Sequence, residues 1–153
     1  MDIKFDIKAL NRLVKQLEGI SDRANNLAPI AGSLYRVADR DFGQRFKSSP
    51  SATTTGEVYG GVQWKRLSDA TLQSKPKRAK GKVLIDSGEL RDSFKKGKPG
   101  NVAEVQGDTV TFGSNLKKAV WNDETRPIVV IHPELVRQST EVLEKWVVAG
   151  KKK

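Results

Sequence analysis

Among side chains able to do chemistry, this sequence offers a single histidine, no cysteine, and carboxylates in closely spaced pairs. His132 stands alone, so a histidine cluster within one chain is excluded as a metal site, and its place before Pro133 suits a helix entry. The lack of cysteine removes disulfides, thiolate nucleophiles and the common zinc-finger ligand sets, which fits assembly in a reducing cytosol. Asp39 with Asp41, and Glu141 with Glu144, would bind magnesium only with further ligands folded nearby; solvated helix faces are the simpler reading. Asp2-Ile3-Lys4 and Asp6-Ile7-Lys8 each supply the acid-x-lysine half of a metal-dependent nuclease signature. Such nucleases need an upstream acid, whereas these triplets open the sequence, and strand alternation explains them better. No Gly-x-Ser-x-Gly elbow, Walker loop or zinc-protease helix occurs, and Gly60-Gly61 lacks the lysine and spacing of a phosphate cradle. The expectation is a protein that is not an enzyme, with no cofactor and no metal.

The other chemistry on offer is charge. Lys75, Lys77, Arg78, Lys80 and Lys82 form a basic stretch without one acidic residue, inside a chain of formal charge +10. Each phosphate neutralised by such residues releases counterions and adds sequence-independent affinity, so the stretch is a candidate DNA-channel or polyanion-facing surface. It lacks the interleaved aromatics on which single-strand binders stack bases. A solvated loop, or one side of an interface with an acidic neighbour, is the alternative. Lys95, Lys96, Lys98 and the three terminal lysines are weaker signals of the same kind.

What must position these residues is one small body. A chain of 153 residues, 37% hydrophobic and 30% charged, has room for one domain with a modest core and a heavily solvated surface. No run of about 18 apolar residues occurs, and the opening MDIKFDIK alternates instead of offering a signal-peptide hydrophobic region, so no membrane span or secretion is expected.

Ile3, Phe5 and Ile7 alternate with charged residues over 2–7, predicting a half-buried strand. Leu10, Leu13, Val14, Leu17 and Ile20 then predict a helix that Gly19 terminates. A second helix is expected over 28–46, with Asn26 as cap, Pro29 in its first turn and Ile30, Leu34, Val37, Ala38, Phe42 and Phe46 on one side. Residues 47–61, rich in Ser, Thr and Gly, predict a long mobile loop. Ser68 should cap a short helix. Val83-Leu84-Ile85 reads as strand or turn, and Asp86 with Glu89 has capping-box spacing ahead of Leu90 and Phe94. Val102–Gln106 and Thr109–Phe112 flank Gly107-Asp108 as a tight hairpin, although Asp-Gly is the favoured order. Pro127–Ile131 is a further β-branched run, and Pro133 starts a last helix carrying Leu135, Val136, Leu143, Trp146 and Val147, with a frayed basic tail over 150–153. The order predicts a single α+β domain over 1–153, helices packed on a mainly antiparallel sheet.

One window is more specific. Trp64-Lys65-Arg66-Leu67-Ser68-Asp69-Ala70-Thr71-Leu72, then Lys75, then Leu84-Ile85-Asp86-Ser87-Gly88-Glu89-Leu90-Arg91-Asp92-Ser93-Phe94 resembles the phage virion morphogenesis family, the Mu-like morphogenesis and tail-completion proteins. Their pattern runs tryptophan, leucine, serine, threonine, lysine, then a hydrophobic pair before Thr/Ser-Gly-x-Leu-Arg-x-Ser. The match covers about residues 60 to 95. Beyond it, Val110-Thr111-Phe112-Gly113-Ser114 and Arg126-Pro127-Ile128 are similar to later family elements, whereas Ala119-Val120-Trp121-Asn122 departs from the usual tyrosine and histidine.

The resemblance implies a structural virion protein of a tailed bacteriophage. It would be a ring-forming tail-completion or neck subunit, of the head-tail joining or tail-terminator kind, assembled in the host cytoplasm. Its implied partners are copies of itself in a ring, a hexamer by that resemblance, with neighbouring connector, tail-tube or sheath proteins and non-specific contact with packaged DNA. Candidate subunit contacts are Trp64, Leu67, Arg91 and Trp121, with packing of Trp64 and Leu67 on their own core as the plainer alternative. A basic architectural nucleic-acid-binding protein is the alternative function, since charge and size fit it without any virion context.

Overall fold

The stripe of Leu10, Leu13, Val14 and Leu17 folds as helix α1 (Ile7–Ala24) in a computed structural model that describes residues 7–152. The strand expected over 2–7 lies, apart from Ile7, outside the described residues, and Ile7 itself opens the helix. Gly19 does not end α1. A single glycine costs a helix only about 1 kcal/mol, and the chain continues through it for more than a turn.

The capping position of the 3₁₀ turn (Ala28–Ile30) carrying Pro29 is Leu27 and not Asn26, whose Oδ1 accepts from the Ala28 amide at 3.2 Å from one residue further out. The chain then enters α2 (Ala31–Lys47). Residues 47–61, expected as a loop, contain strand β1 (Gly56–Val58), which pairs antiparallel with β2 (Val62–Trp64). Strands this short leave no periodic signal. Buried Ala52 anchors the same segment, its amide donating to Gly81 O at 2.9 Å and its carbonyl accepting from the Leu67 amide at 2.8 Å.

Ser68 caps α3 (Asp69–Ser74), its hydroxyl accepting from the Thr71 amide at 3.2 Å. A 3₁₀ turn (Pro76–Lys80) follows. Val83-Leu84-Ile85 is a turn, with Leu84 at φ 59° and Lys82 bridged to Ile85. The capping box does not form, because Asp86 pairs with Arg78 at 2.6 Å. α4 (Glu89–Asp92) starts instead from Gly88 at φ 85°, with the Ser87 hydroxyl accepting from the Glu89 amide.

β3 (Asn101–Gln106) and β4 (Thr109–Ser114) pair antiparallel across Gly107-Asp108. Gly107 has φ 59°, the geometry of a hairpin turn with glycine first, and its carbonyl accepts from the Leu27 amide at 2.9 Å. After α5 (Lys117–Asp123), residues 127–131 are irregular and not a strand. Side chains take the backbone groups that a ladder would use. Asp123 Oδ1 accepts from the Ile128 and Val129 amides, Trp64 Nε1 donates to Pro127 O, and Arg45 donates to Ile128 O.

Pro133 opens α6 (Pro133–Val147). Gly150 and Lys151, expected to fray, close it instead. Gly150 N donates to Trp146 O and Lys151 N to Lys145 O, with Gly150 left-handed at φ 66°.

The fold is α+β, helices with two small antiparallel hairpins. Its main core joins Phe42 and Phe46 of α2 to Val58, Trp64, Val83, Leu84, Leu90, Phe94, Ala119 and Ile128. A satellite cluster holds Leu27, Ile30 and Trp146.

Candidate functional site

Helix α1 is joined to the body at its C-terminal end. Trp146 Nε1 donates to the Arg23 and Asn26 carbonyls at 3.0 Å, and Arg23 Nε donates to Val147 O at 2.8 Å. None of its residues is buried: Ile7, Leu10, Leu13, Val14 and Leu17 are 44–67% exposed. These five fall on one face, with Lys8, Arg12 and Lys15 opposite.

A second apolar surface lies on the body. Val120 is 69% exposed, Trp121 71%, Val129 60% and Ile131 82%. Between α5 and the irregular segment runs a groove of about 400 Å³, floored by Phe94, Ala119 and Ile128, with Val120, Val129, Asp123 and Glu124 also lining it. The irregular course of 127–131 creates this groove, because the segment is held by side chains and not by a neighbouring strand.

The four candidate subunit contacts separate. Trp64 is fully buried against its own core, its indole edge-on to Phe46 at 5.6 Å and its Nε1 donating to Pro127 O at 2.8 Å. It has no surface left for a neighbour, so its reading as an anchor is corrected. Leu67, also buried, is corrected for the same reason. Arg91 is part-exposed, pairs with Asp92 at 2.9 Å, and lines a cavity of about 390 Å³ with Asp39, Lys82 and Lys95. Trp121 is the candidate that stands in solvent.

The basic stretch also divides. Lys75, Lys77 and Lys80 are exposed on the 3₁₀ turn and its approach. Arg78 turns inward to Asp86 at 2.6 Å, and Lys82 Nζ donates to Lys47 O at 3.0 Å. The hydrogen bond from Arg78 holds the Asp86 carboxyl below its usual range, with the charges of Arg78, Lys75 and Lys118 adding to the effect. The stretch is basic in sequence, yet Asp86, eight residues after Arg78, neutralises one of its cations.

A buried ionic cluster was not expected. Asp41, read as part of a solvated helix face, is buried and contacts Arg45 at 2.8 Å and His132 Nε2 at 2.5 Å. Arg45, fully buried, donates to Tyr59 O at 2.9 Å and Ile128 O at 2.7 Å. Its remaining nitrogen meets Asp41 by charge without a well-aligned hydrogen bond. His132 keeps its helix-entry place, its carbonyl accepting from the Val136 amide at 3.1 Å, while its ring ties α6 to α2. The signal was the four-residue spacing of Asp41 and Arg45, which is common on exposed helix faces and so carries no mark of burial.

Asp39, Glu141 and Glu144 are exposed, as read. Among the described residues no group of three His, Cys, Asp or Glu side chains is placed to hold a metal ion, and no helix is long and apolar enough to cross a membrane. Comparison with protein-family models, with curated proteins and with solved structures finds no match.

Proposed function

We propose that this chain is a structural subunit of a tailed bacteriophage particle, a ring-forming tail-completion or neck protein that works by contact with copies of itself. The observation that carries this reading is the pair of uncovered apolar surfaces, the α1 stripe and the α5 groove, which hold nine of the twelve exposed large apolar side chains among the described residues. Exposed apolar area on this scale marks interaction surfaces. The residues that carry the family resemblance support it further: Trp64, Leu84, Leu90 and Phe94 meet in one core, so the motif reads as the scaffold of a fold.

In a ring around a DNA channel, Lys75, Lys77 and Lys80 supply sequence-independent phosphate contact. The same three lysines favour a second reading, a basic architectural nucleic-acid-binding protein acting without a ring. Negative-stain electron microscopy of the purified chain separates the two. Closed rings with a central opening are expected for a tail-completion or neck subunit. Single particles that join only along added duplex DNA would overturn that in favour of the second reading.

A further inference from the structure

We infer that α1 of one copy docks in the groove between α5 and residues 128–131 of the next copy, making a head-to-tail contact. This rests on the reading of the chain as a self-assembling subunit and specifies the surfaces used.

Helix α1 needs a partner. Its 18 residues include none that is buried, whereas most helical stability in proteins comes from packing an amphipathic face. Its apolar stripe is too broad for a simple two-helix seam. Ile7, Leu10, Val14 and Leu17 would form the seam, and Leu13 widens the face to one side, the pattern of a helix bedded on a surface.

The body offers a matching concavity. The groove is floored by apolar atoms and flanked by exposed Val120 and Val129, with Trp121 and Ile131 on neighbouring positions of the same two segments. The two surfaces together expose roughly 1,000 Å² of apolar side chain, about the apolar share of a standard stable interface. When the stripe docks, Lys8, Arg12 and Lys15 remain in water on the opposite face, so no cation of that face is desolvated.

A second copy fits better than a lipid surface. Besides those three bases the helix carries Glu18 and Asp22, its Arg23 is engaged with the Val147 carbonyl, and it has no tryptophan or phenylalanine. Membrane-surface helices are strongly basic on the polar face and use such aromatics. The stripe and the groove are different patches of one chain. Their contact is therefore heterologous, the kind that builds a ring when the rotation between neighbours closes and an open filament when it does not.

The test uses two full-length double variants, Leu13→Glu with Leu17→Glu on the helix, and Val120→Glu with Val129→Glu at the groove. All four positions are exposed, so the monomer fold is kept, which circular dichroism checks. Sedimentation velocity of each variant alone is expected to show association weakened by roughly 100-fold or more relative to the wild type. Mixed in equal amounts, they retain one intact pair of surfaces, α1 of the groove variant and the groove of the helix variant, and should form a 1:1 pair and stop there.

A wild-type oligomer that either variant reproduces unchanged, or a mixture that yields no 1:1 pair, overturns the docking while leaving self-assembly standing. A wild-type chain that stays monomeric overturns self-assembly itself. Vesicles of mixed phosphatidylcholine and phosphatidylglycerol supply the last arm. Binding that the helix variant loses, with its oligomer intact, would reassign α1 to a membrane surface.

Discussion

The Arg45 guanidinium lies 2.8 Å from the Asp41 carboxylate one turn earlier on α2, and both side chains are buried. His132 reaches the other oxygen of that carboxylate from the start of α6, and Arg45 also holds the carbonyls of Tyr59 and Ile128. This one cluster therefore links α2, the β1–β2 hairpin, the segment that walls the groove, and α6. Removing the carboxylate leaves a buried cation uncompensated. Asp41→Ala should cost about 3–5 kcal/mol in urea unfolding, and Asp41→Asn less, because the amide still accepts a hydrogen bond. A loss below about 1 kcal/mol for Asp41→Ala would show that the cluster is solvated.

Trp64 tests whether the motif window is core. Trp64→Ala should destabilise by about 3–5 kcal/mol. Trp64→Phe keeps much of the packing against Phe46 but leaves the Pro127 carbonyl without its donor, and should cost about 1–3 kcal/mol. Thermal unfolding of both variants measures this. Near-wild-type stability for Trp64→Ala would contradict a fully buried indole.

Two glycines should respond with opposite sign. Gly60 has φ 97°, and a Cβ there would stand 2.9 Å from an Arg45 nitrogen. Gly60→Ala should therefore destabilise by about 1–3 kcal/mol. Gly43 sits within α2 with open space around the same position, and Gly43→Ala should stabilise by about 0.5–1 kcal/mol. Denaturant midpoints of the two variants that moved in the same direction would contradict the backbone geometry.

Acid should weaken the fold through surface carboxylates. Hydrogen bonds from Arg91 and Lys95 hold Asp92 at about 2, and those from Arg137 and Gln138 hold Glu134 at about 2. Both groups have folded-state pKa values below their unfolded ones. Their stabilisation is thus present above the usual carboxylate range and is lost as pH falls from about 4.5 to about 2. The pairs are exposed, so the loss is modest and salt reduces it further. Melting temperature followed over that range should fall, and Arg137→Gln should remove part of the fall. A melting temperature that rose on acidification would contradict the sign.

Replacing Lys75, Lys77 and Lys80 together with glutamine should weaken duplex DNA binding and flatten its salt dependence by roughly 3 in the slope of log K against log salt. Replacing Arg78 and Lys82 should do less, because Asp86 and the Lys47 carbonyl already engage them. Fluorescence anisotropy across a salt series measures both. Equal effects of the two sets would contradict the division of the basic stretch.

Helices with long apolar stripes were legible in the sequence, as were the Ser68 cap, the Gly107-Asp108 hairpin and the α+β class. Local chemistry decides such features. The β1–β2 hairpin was not legible, because three-residue strands show no period. Residues 127–131 have strand composition, but Asp123, Trp64 and Arg45 take their backbone groups, and only the folded chain brings those donors and acceptors together. Trp64 and Trp121 were both read as contacts, yet one is fully buried and the other 71% exposed, a distinction that residue type does not carry. In the same way the stripe of α1 and that of α2 look equivalent as patterns, and only packing shows that the first is uncovered.

Native mass spectrometry of the full chain over rising protein concentration tests the central claim most directly, since it counts subunits. One discrete closed oligomer, an integer multiple of the 16.9 kDa chain, is the expected result. A chain that remains at 16.9 kDa throughout, or that grows without a defined endpoint, would contradict it.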